Sequence, residues 1–216
     1  MEIISKNIEE GWKKALKYII ENGKDFVDGD GRTCREVTNL SICLENKKDI
    51  TKPIEIINSF EKWVYPPLEE LESVVLSKKE IAGYYYNYGA RAFNFNDINQ
   101  IDSYLIPLLK KDKTTRRGTI VFYNPIKDSF LFKKDIPGMI MVNFNIRNNK
   151  LNVLSVIRSN DLFFGWPANI YQVYILQKYV SEKTGYEMGE LQTFSISAHI
   201  FEDQFDNINR VLHQDS

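Results

Sequence analysis

The residues with the most chemical potential fall in one stretch, Ile157-Arg158-Ser159-Asn160-Asp161-Leu162-Phe163-Phe164-Gly165-Trp166-Pro167-Ala168-Asn169. An arginine beside a serine suits phosphate oxygens, because the planar guanidinium donates two parallel hydrogen bonds and the hydroxyl adds another. The same pair also suits a surface ion pair. Asp161 offers a carboxylate and Asn169 an amide that donates or accepts, while Gly165 and Pro167 constrain the backbone between them. A second basic pair, Arg116-Arg117, follows Thr114-Thr115 and is either an anion contact or a solvated turn. Cys34 and Cys43 have no metal-ligand spacing and are too few for a disulfide framework, so they read as reduced thiols.

Hydrophobic spacing indicates the elements that must position these groups. Ile8, Trp12, Ala15, Leu16, Ile19 and Ile20 recur at helical spacing, which predicts a helix over residues 7–22 stopped at Gly23. Asp28-Gly29-Asp30-Gly31 reads as a loop, and Val37, Leu40, Ile42 and Leu44 predict a strand after it. A helix is expected from Pro53 to Val64, broken at Pro66-Pro67 and resumed through Leu68, Leu71 and Val75; a third is expected from Ile98 to Leu109. Strands are expected over 118–123, 139–146 and 151–157, the last two joined by an Asn148-Asn149 hairpin turn. A helix over 170–183 ending at Gly185, a strand over 191–199 and a short terminal helix complete the pattern, with Tyr84-Tyr85-Tyr86 read as strand packing. Helices and antiparallel-type strands intermix without a repeating βαβ period, so the expected class is α+β, not doubly wound.

The 216 residues suit one domain, residues 1–216, with 43% hydrophobic and 26% charged residues in an ordinary globular balance. With 28 Lys+Arg against 29 Asp+Glu, the net charge of −1 argues against bulk nucleic-acid binding but leaves local anion sites open. No apolar run approaches the ~20 residues of a membrane span, and the N-terminus lacks a cleavable apolar region. The expected compartment is the cytoplasm, with no membrane partner.

Taken together, Arg158-Ser159-Asn160-Asp161 with Gly165, Pro167 and Asn169, then Ala198-His199-Ile200, resemble the signature region of the thymidylate synthase family. Tyr88-Gly89 with Arg91, the stretch from Asp112 to Arg117 before Asn124-Pro125, and Arg32-Thr33 extend that resemblance over roughly residues 25–205, closest to the compact members. It implies a mixed sheet packed by helices, with sheet faces paired in a homodimer. By the same resemblance, Arg32, Arg158 and Ser159 hold the phosphate of a pyrimidine nucleoside monophosphate, and Arg116 and Arg117 reach it from the partner subunit. Asn169 reads the pyrimidine edge, His199 contacts the ribose, and Asp161 engages the 5,10-methylenetetrahydrofolate cosubstrate, with Gly165 and Trp166 beside it. Tyr88 assists proton removal at C5, and Glu61, with Glu70 as the alternative, orders the relay water.

The family's chemistry adds a cysteine thiolate to C6, which makes C5 nucleophilic enough to attack the one-carbon unit. The resemblance places that cysteine at Gly138, in Ile136-Pro137-Gly138-Met139. Glycine offers no nucleophile, and neither Cys34 nor Cys43 occupies a matching place. Phe201 stands where the family usually has a tyrosine that contacts the ribose, and the chain ends at His213-Gln214-Asp215-Ser216 without the family's apolar-ended tail. These departures favour hydroxymethylation over methylation. Three functions stay open: a C5 one-carbon transferase whose nucleophile has been replaced, a non-catalytic nucleotide-binding paralogue, and an enzyme that activates its substrate without a thiol adduct.

Overall fold

Asn7 opens the first helix, α1 (Ile8–Asn22), by accepting the Glu10 amide N–H at 2.9 Å, and Glu9 and Glu10 lie in the first turn where the helix dipole favours them. Trp12, Ala15, Leu16 and Ile19 are fully buried, so the predicted apolar face is the one that packs. The computed structural model describes residues 1–60, 62 and 64–213. Around α1 the order is β1 (Glu2–Ser5), β2 (Lys24–Val27), β3 (Thr33–Leu44), α2 (Lys52–Asn58), α3 (Leu68–Leu76) and α4 (Tyr88–Phe93). A π-helical turn (Ile101–Leu105), α5 (Ile106–Lys111), β4 (Thr119–Val121), α6 (Pro125–Asp128) and β5 (Met139–Arg147) follow. The chain finishes with β6 (Lys150–Asp161), α7 (Gly165–Thr184), β7 (Glu187–Phe201), a 3-10 turn (Glu202–Gln204) and α8 (Phe205–His213).

Seven strands form one mixed sheet in the order β1-β3-β7-β6-β5-β4, with β2 paired to β3. β1 runs parallel to β3, whereas β2–β3 and β4–β5 are antiparallel. This is the α+β architecture expected. The hairpin between β5 and β6 forms as predicted, with Asn148 and Asn149 both left-handed (φ 52° and 60°), the twist a two-residue turn requires.

Three expectations need correction. Tyr84-Tyr85-Tyr86 is a loop rather than a strand, and Tyr85 is 78% exposed. The helix expected from Ile98 starts at Ile101, because Ile98 bridges to Phe95 and Asn99 Oδ1 accepts the amides of Ile101 and Asp102 at 3.1 and 2.7 Å. The helix expected to reach Val64 ends at Asn58, whose side chain turns to accept the Tyr65 amide at 2.9 Å.

The chain divides into two compact units: Met1–Tyr65, Ile157–Tyr171 and Gln192–Ser216 in the first, Pro66–Val156 and Gln172–Leu191 in the second. In the first, Trp12 Nε1 donates to the Leu162 carbonyl at 2.7 Å and its ring stacks on Phe163. The second is built around a buried ion pair. Arg91 donates to both carboxylate oxygens of Asp128 at 3.1 and 2.9 Å, and Asp128 also accepts from the Asn124 amide and Lys133.

Burial alone would raise the Asp128 pKa, but Arg91 and the Asn124 amide hold it below the usual aspartate range. Removing Arg91 leaves a carboxylate with no exposure to water whose remaining partners are the Asn124 amide and Lys133. Arg91→Met should cost about 3–5 kcal/mol, measured as a lowered urea midpoint. A depressed folded-state pKa stabilises above the unfolded value, so the wild-type advantage should be full near neutrality and disappear as pH falls through the Asp128 range.

Candidate functional site

In the first unit, β6 ends at Asp161 and α7 begins at Gly165, so a three-residue turn separates strand from helix. Asp161 organises that turn. Its Oδ1 accepts the amides of Phe163 and Phe164 at 2.9 and 3.0 Å, and its Oδ2 accepts from Gln204 Nε2 at 2.8 Å. Burial raises the Asp161 pKa against these donors and against nearby His199, while burial also lowers the imidazole's. The pair therefore sits in a dry environment where each group resists charging alone.

His199 is 9% exposed, and its backbone carbonyl accepts the Leu162 amide at 2.8 Å, which ties β7 to the Asp161 turn. Its ring lies edge-on to Phe201 at 5.2 Å, and the Arg32 guanidinium lies over the other ring, 3.9 Å from the Phe201 centroid. Arg32 is anchored by Asp28 Oδ2, 3.1 Å from Nε, and Asp28 also accepts the Arg32 and Asp30 amides. Arg32, Phe201, His199 and Asp161 thus form one linked group. Arg158 and Asn169 are half-buried, Ser159 is exposed, and Gly165 starts α7. Trp166 is fully buried, with Nε1 on Thr193 Oγ1 at 2.9 Å, so its ring belongs to the core of the unit.

Sequence reasoning missed Gln204 and Asp28. Gln204 is 3% exposed and joins the Phe201 amide, at 2.9 Å, to Asp161. Asp28 carried a signal as an Asx residue in a glycine-rich loop four residues before Arg32; Gln204 carried none.

Neither cysteine offers a ready thiolate. Both are buried, and burial raises the Cys34 pKa, with the Asp28 charge adding to the effect.

In the second unit, Tyr88 begins α4 and is buried, with Phe122 and Tyr86 packed edge-on against its ring. Its Oη accepts the Met139 amide at 3.1 Å. Gly138 lies one residue earlier, in the bend that leads into β5, so the tyrosine and the expected nucleophile position are neighbours. Arg116 and Arg117 are exposed; Gly118 after them presses on the Phe144 carbonyl, where a Cβ would come within 2.2 Å. Glu61 lies outside the described residues. Glu70 is exposed on α3 and accepts from the Tyr84 hydroxyl at 3.3 Å.

Beside Tyr88 is a cavity of about 320 Å³ that is also lined by Tyr84, Tyr85, Tyr86 and Asp135. Asn87 and Gln172 complete its polar lining. Among the described residues no helix is long and apolar enough to cross a membrane.

A family model described as thymidylate synthase matches residues 44–216. The "Putative thymidylate synthase" of Methanosarcina mazei is 33% identical over 211 residues, covering 97% of this chain and 94% of that protein. Its namesake in Methanothermobacter thermautotrophicus is 30% identical over 218 residues, covering 95% of each. The structure of thermostable thymidylate synthase A from Bacillus subtilis superposes with a TM-score of 0.67 at 20% identity, over 97% of this chain and 85% of that one.

Proposed function

This chain belongs to the thymidylate synthase family, and on that premise we propose that it binds a pyrimidine nucleoside monophosphate for one-carbon transfer to C5. The observation that carries the reading is the Tyr88–Met139 hydrogen bond, which holds a phenol beside Gly138, where the family's resemblance puts the nucleophile. We place the activity in the cytoplasm and take residues 1–216 as one domain, since both units are discontinuous in sequence.

Arg32, Arg158 and Ser159 bind the phosphate by charge-assisted hydrogen bonds. Asn169 orients the base, and its amide serves uracil or cytosine equally well. His199 contacts the sugar, and Phe201 supplies no hydroxyl there, which leaves the choice between ribose and deoxyribose to the ring's shape. Tyr88 moves the proton at C5, with its Oη fixed by the Met139 amide; Glu61 orders the water.

When bound, 5,10-methylenetetrahydrofolate supplies the one-carbon unit. The residues fit such a group: the cavity beside Tyr88 offers the aromatic side chains of Tyr84, Tyr85, Tyr86 and Tyr88 and the Asp135 carboxylate. By the family resemblance Asp161 and Gly165 engage the cosubstrate, and Trp166 supports them from the core of the first unit. Phe201 favours hydroxymethylation over methylation.

Gly138 favours a second reading, a nucleotide-binding paralogue without turnover, because the chain holds no thiol at that position. Tritium release from C5-labelled UMP, CMP, dUMP and dCMP separates the two. Release by Gly138→Cys supports the transferase, and no release by either form supports the paralogue.

The exposed Arg116-Arg117 pair suits a phosphate bound by a second copy of the chain, which makes the active form a two-fold homodimer. Sedimentation equilibrium at micromolar concentration should give twice the chain mass, and Arg116→Ala should weaken nucleotide binding without dissociating the dimer. A stable monomer would refute the shared site.

A further inference from the structure

The turn that follows β6 is pinned through its backbone within the first unit. The Leu162 amide donates to the His199 carbonyl, the Leu162 carbonyl accepts from Trp12 Nε1, and the Tyr65 hydroxyl donates to the Phe164 carbonyl. Asp161 Oδ1 accepts the amides of Phe163 and Phe164, which fills both lone-pair positions of that oxygen. Oδ2 differs. Its one donor among the described residues is Gln204 Nε2 at 2.8 Å, so a second position stays open on a residue that keeps partial exposure to solvent.

Gln204 comes from the 3-10 turn after β7 and is buried. Its Oε1 accepts the Phe201 amide N–H at 2.9 Å, and an amide that accepts on one side presents N–H on the other. The Phe201 backbone therefore dictates that Asp161 meets a donor. Burial opposes charge on Asp161, whereas the Phe164 amide, Gln204 and nearby His199 favour it. The charges of Glu36, Arg32 and Asp28 act on His199 in turn. Cys34 on β3 and Tyr65 are the other titratable neighbours, and burial raises both their pKa values, with the Asp161 charge adding to each. Both therefore stay protonated at neutral pH.

We infer that Gln204 is a positioning residue for the one-carbon reaction: it fixes the Asp161 side chain and keeps Oδ2 as the acceptor that engages the cosubstrate. The inference rests on the reading above that Asp161 meets methylenetetrahydrofolate.

Two measurements on the full chain test it together, anaerobic calorimetry with tetrahydrofolate and the carbon-13 carboxyl titration of Asp161. Gln204→Met keeps the side-chain length and removes the donor. It should weaken tetrahydrofolate about tenfold, leave UMP and dUMP affinity within about threefold, and move the Asp161 titration to higher pH. Gln204→Glu supplies the rescue. Protonated, it accepts from Phe201 and donates to Asp161 as the amide does, so at mildly acid pH it should bind tetrahydrofolate within about threefold of the unaltered chain. As pH rises, two adjacent carboxyls cannot both ionise without repulsion, and that binding should be lost. A merely structural role would lower the melting temperature of both variants without moving the titration or producing the acid rescue. An unmoved Asp161 titration in Gln204→Met would overturn the inference, and so would equal loss of nucleotide, which would make Gln204 a support for Phe201 alone. No tetrahydrofolate binding by the unaltered chain would overturn the folate-dependent reading and this inference with it, and the titration would still report whether Gln204 holds Asp161.

Discussion

Gly138→Cys incubated with a 5-fluoropyrimidine nucleotide and methylenetetrahydrofolate should gain a covalent adduct by mass spectrometry, and the unaltered chain should gain none. The expected effect is all-or-none, because glycine has no atom that can add to C6 and both native cysteines are buried. Gly138 is not among the glycines with positive φ, Gly31, Gly83 and Gly185, so an L-residue there meets no backbone penalty. Its neighbour Met139 is tied to Tyr88 by 3.1 Å, which holds the bend and the phenol together. The nucleophile is the thiolate, so the adduct should form faster as pH rises through the ordinary thiol range near about 8.5. Fluorine cannot leave as a cation as hydrogen does, so the adduct should persist for detection. An adduct in neither form would favour the binding paralogue; turnover by the glycine form would mean that C5 is activated without a thiol.

What could be read from the sequence depended on how local the determining forces are. α1 was legible because its apolar spacing and its Asn7 cap lie within one segment, and the β5–β6 hairpin because two asparagines tolerate left-handed backbone. β2 was not, since all four of its residues are exposed and its pairing with β3 is made by a turn and by register rather than by an apolar face. The six-residue α4 is too short to form by propensity, and burial of Tyr88, Ala92 and Phe93 holds it instead. The tyrosines at 84–86 have strand propensity, which tertiary context overrode. The site divides in the same way. Arg158 to Asp161 are adjacent in sequence and could be read as a cluster, but Tyr88 and Met139 are 51 residues apart, and only the fold joins them. Gln204 is the extreme case, because its role exists only once β7 has brought it to Asp161.

Removing the phosphate from the nucleotide should cost the chain far more than tenfold in affinity. Arg158 with Ser159 and Arg32 each offer charge-assisted hydrogen bonds, worth about 1.5–3 kcal/mol apiece, so two of them lost together exceed a hundredfold. Arg32 moderates the gain. In the free protein its guanidinium already holds Asp28 at 3.1 Å and covers Phe201 at 3.9 Å, and phosphate must compete with the carboxylate for it. The side chain is 58% exposed, so that ion pair is screened and yields readily. Asp28→Asn should therefore tighten nucleotide binding by a fewfold at low salt, with the difference shrinking as salt is added. Calorimetry with UMP, dUMP and their nucleosides measures both effects. Equal affinities for nucleoside and nucleotide would eliminate the arginine-lined phosphate site, whereas a large phosphate dependence that Asp28→Asn fails to increase would keep the site and place Arg32 outside it.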